Sequence, residues 1–134
     1  MKIHEYSVRV RYSETDQMGV VYHGNYAQYF EMGRVEWLRN IGFSYKFMEE
    51  SGIMLPVVSL SINYKKPARY DDLLRVRTIF KKQTSVKIEF DYEIYNEADE
   101  LLTIANSILV FVDMKTARAT TPPDFVIEQL LKIV

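Results

Sequence analysis

The chain has 134 residues, of which 48% are hydrophobic and 26% charged, and its net charge is −1. That balance fits one soluble domain with its own core and gives no general pull towards nucleic acid or an anionic membrane. There is no cysteine, and the two histidines are His4 and His23, which excludes disulfides and thiol chemistry and argues against a protein-only zinc centre.

No stretch approaches the roughly 20 apolar residues of a membrane span, and the opening Met-Lys-Ile-His-Glu lacks the apolar run of a signal peptide. A cytoplasmic protein is expected. Residues 3–12 alternate, with Val8, Val10 and Tyr12 set against Ser7, Arg9 and Arg11, and predict a first strand. Residues 13–24 carry Ser13, Thr15, Asp16, Gly19 and Gly24 and read as a turn region. Asn25, with Gln28 three residues on, suits the N-cap and capping box of a helix from Tyr26 to Ile41. Tyr26, Phe30, Gly33, Trp37 and Ile41 share one face of that helix, and Gln28, Glu31, Arg34 and Arg39 supply much of the rest. A glycine inside a helix costs about 1 kcal/mol against alanine, so Gly33 implies a close neighbour such as a sheet. Gly42 suits the helix end.

A short helix is expected over 44–51. Alternation then predicts four strands. The first carries Val58, Leu60, Ile62 and Tyr64 and reads as half-buried. The second carries Leu74, Val76, Thr78 and Phe80, and the third Val86, Ile88, Phe90, Tyr92 and Ile94. The last runs from Leu101 to Val112 and is apolar on both faces from Ile108 on, as in a strand covered on both sides. Thr121-Pro122-Pro123-Asp124 opens a terminal helix with Val126, Ile127, Leu130 and Leu131 on its apolar stripe. The expectation is one α+β domain over residues 1–134, an antiparallel sheet covered by the long helix.

The chemistry concentrates between the first strand and that helix. Thr15-Asp16, Gly19-Val20-Val21-Tyr22-His23 and Asn25-Tyr26 stand ahead of Glu31, Arg34, Glu36, Trp37, Leu38 and Arg39, and Pro67-Ala68-Arg69-Tyr70-Asp71-Asp72 forms a later turn. With these residues the chain resembles the hotdog-fold thioesterases, in which a curved antiparallel β-sheet wraps a long central α-helix. It resembles most the 4-hydroxybenzoyl-CoA thioesterase group, in its Tol–Pal-associated acyl-CoA thioesterase branch. The resemblance covers nearly the whole chain.

It implies hydrolysis of an acyl-CoA to a free acid and CoA, with no metal or redox cofactor. The motif aspartate falls on Asp16, as nucleophile or as general base for water. Alone in a turn rich in Ser and Thr, Asp16 would read as a turn residue; the surrounding motif makes it the catalytic candidate. The implied oxyanion donor is a backbone N–H at the start of the central helix, which falls on His23. Gly24 would leave room for the acyl group, Tyr22 and Tyr26 would form pocket wall, and Lys82 would meet the CoA phosphates. Glu31 lies eight residues beyond His23, roughly 12 Å along a helix, too far to serve the same carbonyl, and is assigned to structure or the acyl pocket.

A homodimer or homotetramer with sites between subunits is expected. Two other readings share these residues. One is a hotdog hydratase or dehydratase working through His23 and a carboxylate. The other is a non-catalytic acyl-CoA-binding module.

Overall fold

The structure, a computed structural model, describes residues 2–133. Strand β1 (Ile3–Arg9) leads through a turn region to α1 (Tyr26–Ile41) and α2 (Tyr45–Glu50). Then come β2 (Ile53–Met54), β3 (Val57–Tyr64), β4 (Leu73–Thr84), β5 (Lys87–Tyr95), β6 (Leu101–Val110), β7 (Val112–Asp113), β8 (Arg118–Ala119) and α3 (Asp124–Leu131). Five strands pair antiparallel in the order β1-β4-β5-β6-β3, and the two-residue strands form a small second sheet, β2-β7-β8.

Helix α1 lies across the sheet with the expected face inward: Tyr26, Phe30, Gly33, Trp37 and Ile41 are all buried. They meet the inner positions of β4 and β5, where Leu74, Val76, Phe80, Ile88, Phe90, Tyr92 and Ile94 alternate with more exposed residues. The Trp37 ring stacks on Phe80 and meets Phe90 edge-on, and its Nε1–H donates to the Lys2 carbonyl at 2.9 Å. Gly33 marks the tightest approach. A Cβ there would stand 2.7 Å from both Val76 Cγ1 and Thr78 Oγ1. Gly42 ends the helix in the left-handed region, at φ 116°.

Several local expectations change. β1 stops at Arg9, because the Glu14 carboxylate accepts the Arg11 N–H at 2.8 Å and winds Tyr12–Glu14 into a 3-10 turn. Asn25 precedes α1 but forms no capping box with Gln28. A 3-10 turn, His23–Asn25, already runs into the helix, and the Asn25 side chain donates instead to the Glu14 carbonyl at 2.9 Å.

β3 is not half-buried. It is a sheet edge, and Val57, Val58, Leu60 and Tyr64 are exposed there. At the end of β6, Leu109 and Phe111 are buried, whereas Ile108, Val110 and Val112 on the other face are only partly covered. Arg34, expected on the polar face of α1, is 6% exposed. In α3, Val126 and Leu130 are buried while Leu131 points to solvent.

Candidate active site

The segment between β1 and α1 is held almost entirely by backbone hydrogen bonds. The Asp16 N–H donates to the Val20 carbonyl at 2.9 Å, and the Gly19 N–H donates back to Asp16 at 3.0 Å. Gly19 closes this turn at φ 77°, where a side chain would be strained. The turn docks on the segment after β3: the Val21 N–H donates to the Ala68 carbonyl at 2.8 Å and the Tyr70 N–H to Gly19 at 3.1 Å. The Pro67–Asp72 turn thus serves as the seat of the motif loop. Asp16 Oδ1 accepts the Met18 N–H at 2.8 Å, which fixes the side chain by a local Asx bond. Its other oxygen has no protein donor among the described residues.

Glu14 ties this loop to α1. Its carboxylate, 9% exposed, accepts from the Arg11 N–H and from the Tyr29 hydroxyl, both at 2.8 Å. Burial, and then the adjacent carboxylate, push the Tyr29 phenol far above its ordinary range, so it stays a donor. Glu14→Ala would strand both donors. A loss of about 2–3 kcal/mol in stability is expected, with a slower enzyme, and Glu14→Gln should restore most of both because its carbonyl accepts the same bonds. Thermal melts beside a thiol-release assay check this.

Asp16 and His23 line one cavity of ≈ 340 Å³ together with Tyr26, Tyr64, Lys65 and Lys66. The His23 carbonyl accepts from the Tyr64 hydroxyl at 3.1 Å, and the His23 ring packs against Tyr22 and Tyr64. No hydrogen bond among the described residues uses the N–H of His23 or of Gly24. These are the open donors left at a helical start, where the backbone dipole is positive. The Tyr26 hydroxyl is pushed up mainly by burial and accepts a long bond, 3.4 Å, from the Ala68 N–H. It lines the cavity.

The other assigned residues fall elsewhere. A Cβ on Gly24 would stand 2.8 Å from the Tyr22 ring, so the missing side chain makes room for that ring. Tyr22 is half-exposed beside His23 and does not line the cavity. Glu31 lines two other cavities along α1, of ≈ 680 and ≈ 310 Å³. Lys82, at the far end of β4, lines cavities of ≈ 230 and ≈ 320 Å³ and not that of Asp16. Lys65 and Lys66, which follow directly on β3, stand at the Asp16 cavity. Only the chain path after β3 brings them there. Among the described residues no group of three or more His, Asp or Glu is placed to hold a metal.

A long helix laid across a five-stranded antiparallel sheet is the architecture of the hotdog-fold thioesterases. The chain belongs to the thioesterase-like superfamily, whose family model matches residues 10–130. It is 40% identical over 116 residues to the putative acyl-CoA thioesterase YneP of Bacillus subtilis, covering 87% of this chain and 84% of the relative. It is 34% identical over 122 residues to the acyl-CoA thioester hydrolase YbgC of Escherichia coli O157:H7, covering 90% and 91%. The crystal structure of a DHNA-CoA thioesterase from Staphylococcus aureus superposes with a TM-score of 0.93 at 37% identity, covering 99% of this chain and 91% of that one.

Proposed function

We propose that the protein hydrolyses acyl-CoA thioesters and that Asp16 and the start of α1 carry out the chemistry. The supporting observation is that the Asp16 carboxylate and His23 share one cavity while the N–H groups of His23 and Gly24 stay unused. The thioester oxygen would sit at those N–H groups. As charge develops there, one such donor is typically worth about 3–4 kcal/mol.

Asp16 either attacks the carbonyl carbon, giving an acyl-aspartyl anhydride that water then hydrolyses, or takes a proton from the attacking water. In both routes the carbon–sulfur bond breaks and CoA leaves as a thiolate, which needs no strong acid. The chain's own groups suffice for this, without metal or cofactor. Lys65, lining the cavity, is suited to the CoA phosphates, more so than Lys66, which is paired with Glu100 at 2.8 Å; Lys82 would join them only from a second subunit.

The hydratase reading needs a histidine–carboxylate pair within hydrogen-bond reach. The His23 ring instead packs between two tyrosines and forms no ion pair among the described residues. A screen of saturated, aromatic and 2-enoyl-CoAs for thiol release tests the proposal. Release from saturated or aromatic thioesters is expected. Hydration of enoyl-CoAs without thiol release, or binding without turnover, would refute it.

A homodimer paired along β3 completes the reading. Its exposed Val57, Val58, Leu60 and Tyr64 leave an apolar open edge, which seldom stays bare. Leu60→Lys is expected to shift the protein towards monomer in light scattering and to lower turnover. A dimer unaffected by that charge would place the interface elsewhere. Among the described residues no helix is long and apolar enough to cross a membrane; a cytoplasmic location remains part of the proposal.

A further inference from the structure

A second cavity, ≈ 680 Å³, does not contain Asp16. It lies against the C-terminal half of α1, between α2 and the start of β3. At its wall stands Arg34, 6% exposed, which forms no ion pair with any described carboxylate. Its Nε–H donates to the Tyr45 hydroxyl at 2.7 Å, and its Nη1 donates to the Tyr92 hydroxyl at 3.0 Å. Tyr92 in turn shares a 2.7 Å bond with Ser107 on β6. The guanidinium is therefore clamped in one orientation.

A guanidinium has five N–H groups. Two are used here, which leaves three without a protein partner among the described residues. Burial works against the charge, but the oxygens of Tyr45 and Tyr92 outweigh it, so Arg34 stays cationic. The Tyr45 phenol is pushed up, mainly by burial, so its proton also remains available to a ligand.

Buried charges in proteins are normally compensated by an opposite charge. Here two neutral tyrosines stand where a carboxylate would be expected. Of the other charged side chains at this cavity, Arg39 is engaged with Glu36, while Glu31, Lys46 and Glu49 are exposed. None of them forms an ion pair with Arg34, and the Glu31 charge reaches only as far as Tyr45. A planar anion matching the guanidinium fork would neutralise Arg34; a neutral hydroxyl would satisfy hydrogen bonds but not the charge.

We propose that the Arg34 cavity is a recognition subsite for a carboxylate at the far end of the substrate's acyl group. The assignment rests on the thioesterase reading and the β3-paired dimer above. Pro56 and Val57, at the start of β3, line the Arg34 cavity, and Tyr64, at its end, lines the Asp16 cavity. Two copies paired antiparallel about a two-fold axis set the start of one β3 beside the end of the other. The Asp16 cavity of one copy then abuts the Arg34 cavity of the second. An acyl chain held at Asp16 by its thioester carries its terminal carboxylate across the interface to Arg34 and the Tyr45 hydroxyl.

The test uses the full chain and a series of ω-carboxy acyl-CoAs from glutaryl to sebacyl. Each is paired with the plain acyl-CoA of equal carbon number, and thiol release gives the ratio of the two kcat/KM values. Partial misfolding lowers both values alike and leaves their ratio intact. At the best chain length the ratio should favour the ω-carboxy substrate by about tenfold or more, the scale of a charge-assisted bond. Arg34→Met should cut it by about tenfold or more, Arg34→Lys by less, and Tyr45→Phe by a few-fold.

A ratio near one at every length, or one untouched by Arg34→Met, overturns the subsite while leaving the thioesterase reading intact. Thiol release from no acyl-CoA at all overturns that reading and the subsite with it. Free suberate raising the Tm through Arg34, with no preference among the thioesters, would mean that the cavity takes a free acid and would overturn the assignment to the acyl group.

Discussion

Asp16→Asn is expected to lower kcat for the best acyl-CoA by about a thousandfold, within the span that a positioned base or nucleophile supplies. The fold should not suffer. Asp16 is exposed, and its one structural bond, from the Met18 N–H to Oδ1, can be accepted equally by an amide oxygen. KM should change little, because the asparagine keeps the shape of the cavity and the N–H groups of His23 and Gly24 still receive the carbonyl oxygen. Single-turnover thiol release, with a melt as control for folding, separates this from general damage. Turnover within a few-fold of wild type would remove Asp16 from the mechanism.

The second large effect is on stability. Gly33→Val is expected to destabilise the protein by about 3 kcal/mol or more, since its new atoms meet close-packed core. At this chain length that corresponds to a fall in Tm of about 10 °C. The cause is the 2.7 Å spacing between an added Cβ and the side chains of Val76 and Thr78. Those neighbours sit on β4, the second strand of the sheet, and cannot withdraw as a long surface side chain would. Gly33→Ala provides the sign test. On an open helix face it would stabilise by about 1 kcal/mol through helix propensity. Here the clash should outweigh that gain, so a rise in Tm for the alanine variant would show that α1 stands further from the sheet.

That spacing was legible in outline from the sequence, because a glycine on the apolar face of a long helix signals a close approach. The long helix, the alternating strands and the terminal helix were legible for the same reason: burial of one face imposes a period. The Asp16 turn and the helix start were legible through their motif. Four features were not. Asn25 looks like a cap, yet the 3-10 turn before it had already satisfied the geometry, and no local pattern separates the two cases. β3 alternates as a buried strand does, and only the sheet order reveals it as an edge.

Arg34 reads as part of a polar face, since a charged residue at that spacing usually is. It is buried because Tyr45 and Tyr92, 11 and 58 residues away in sequence, converge on it. Such a contact has no local signature. Lys65 and Lys66 have no local signature either: their place at the Asp16 cavity follows from the path of the chain after β3.

The loop that carries Asp16 is fastened by main-chain bonds, so the outward side chains of Gln17 and Met18 hold nothing in place. Met18 is 82% exposed, and its N–H alone supports the aspartate. Because the chain has no cysteine, Met18→Cys would create a unique handle for a fluorophore or spin label two residues from Asp16. Such a label would report ligand arrival directly, without waiting for product to accumulate.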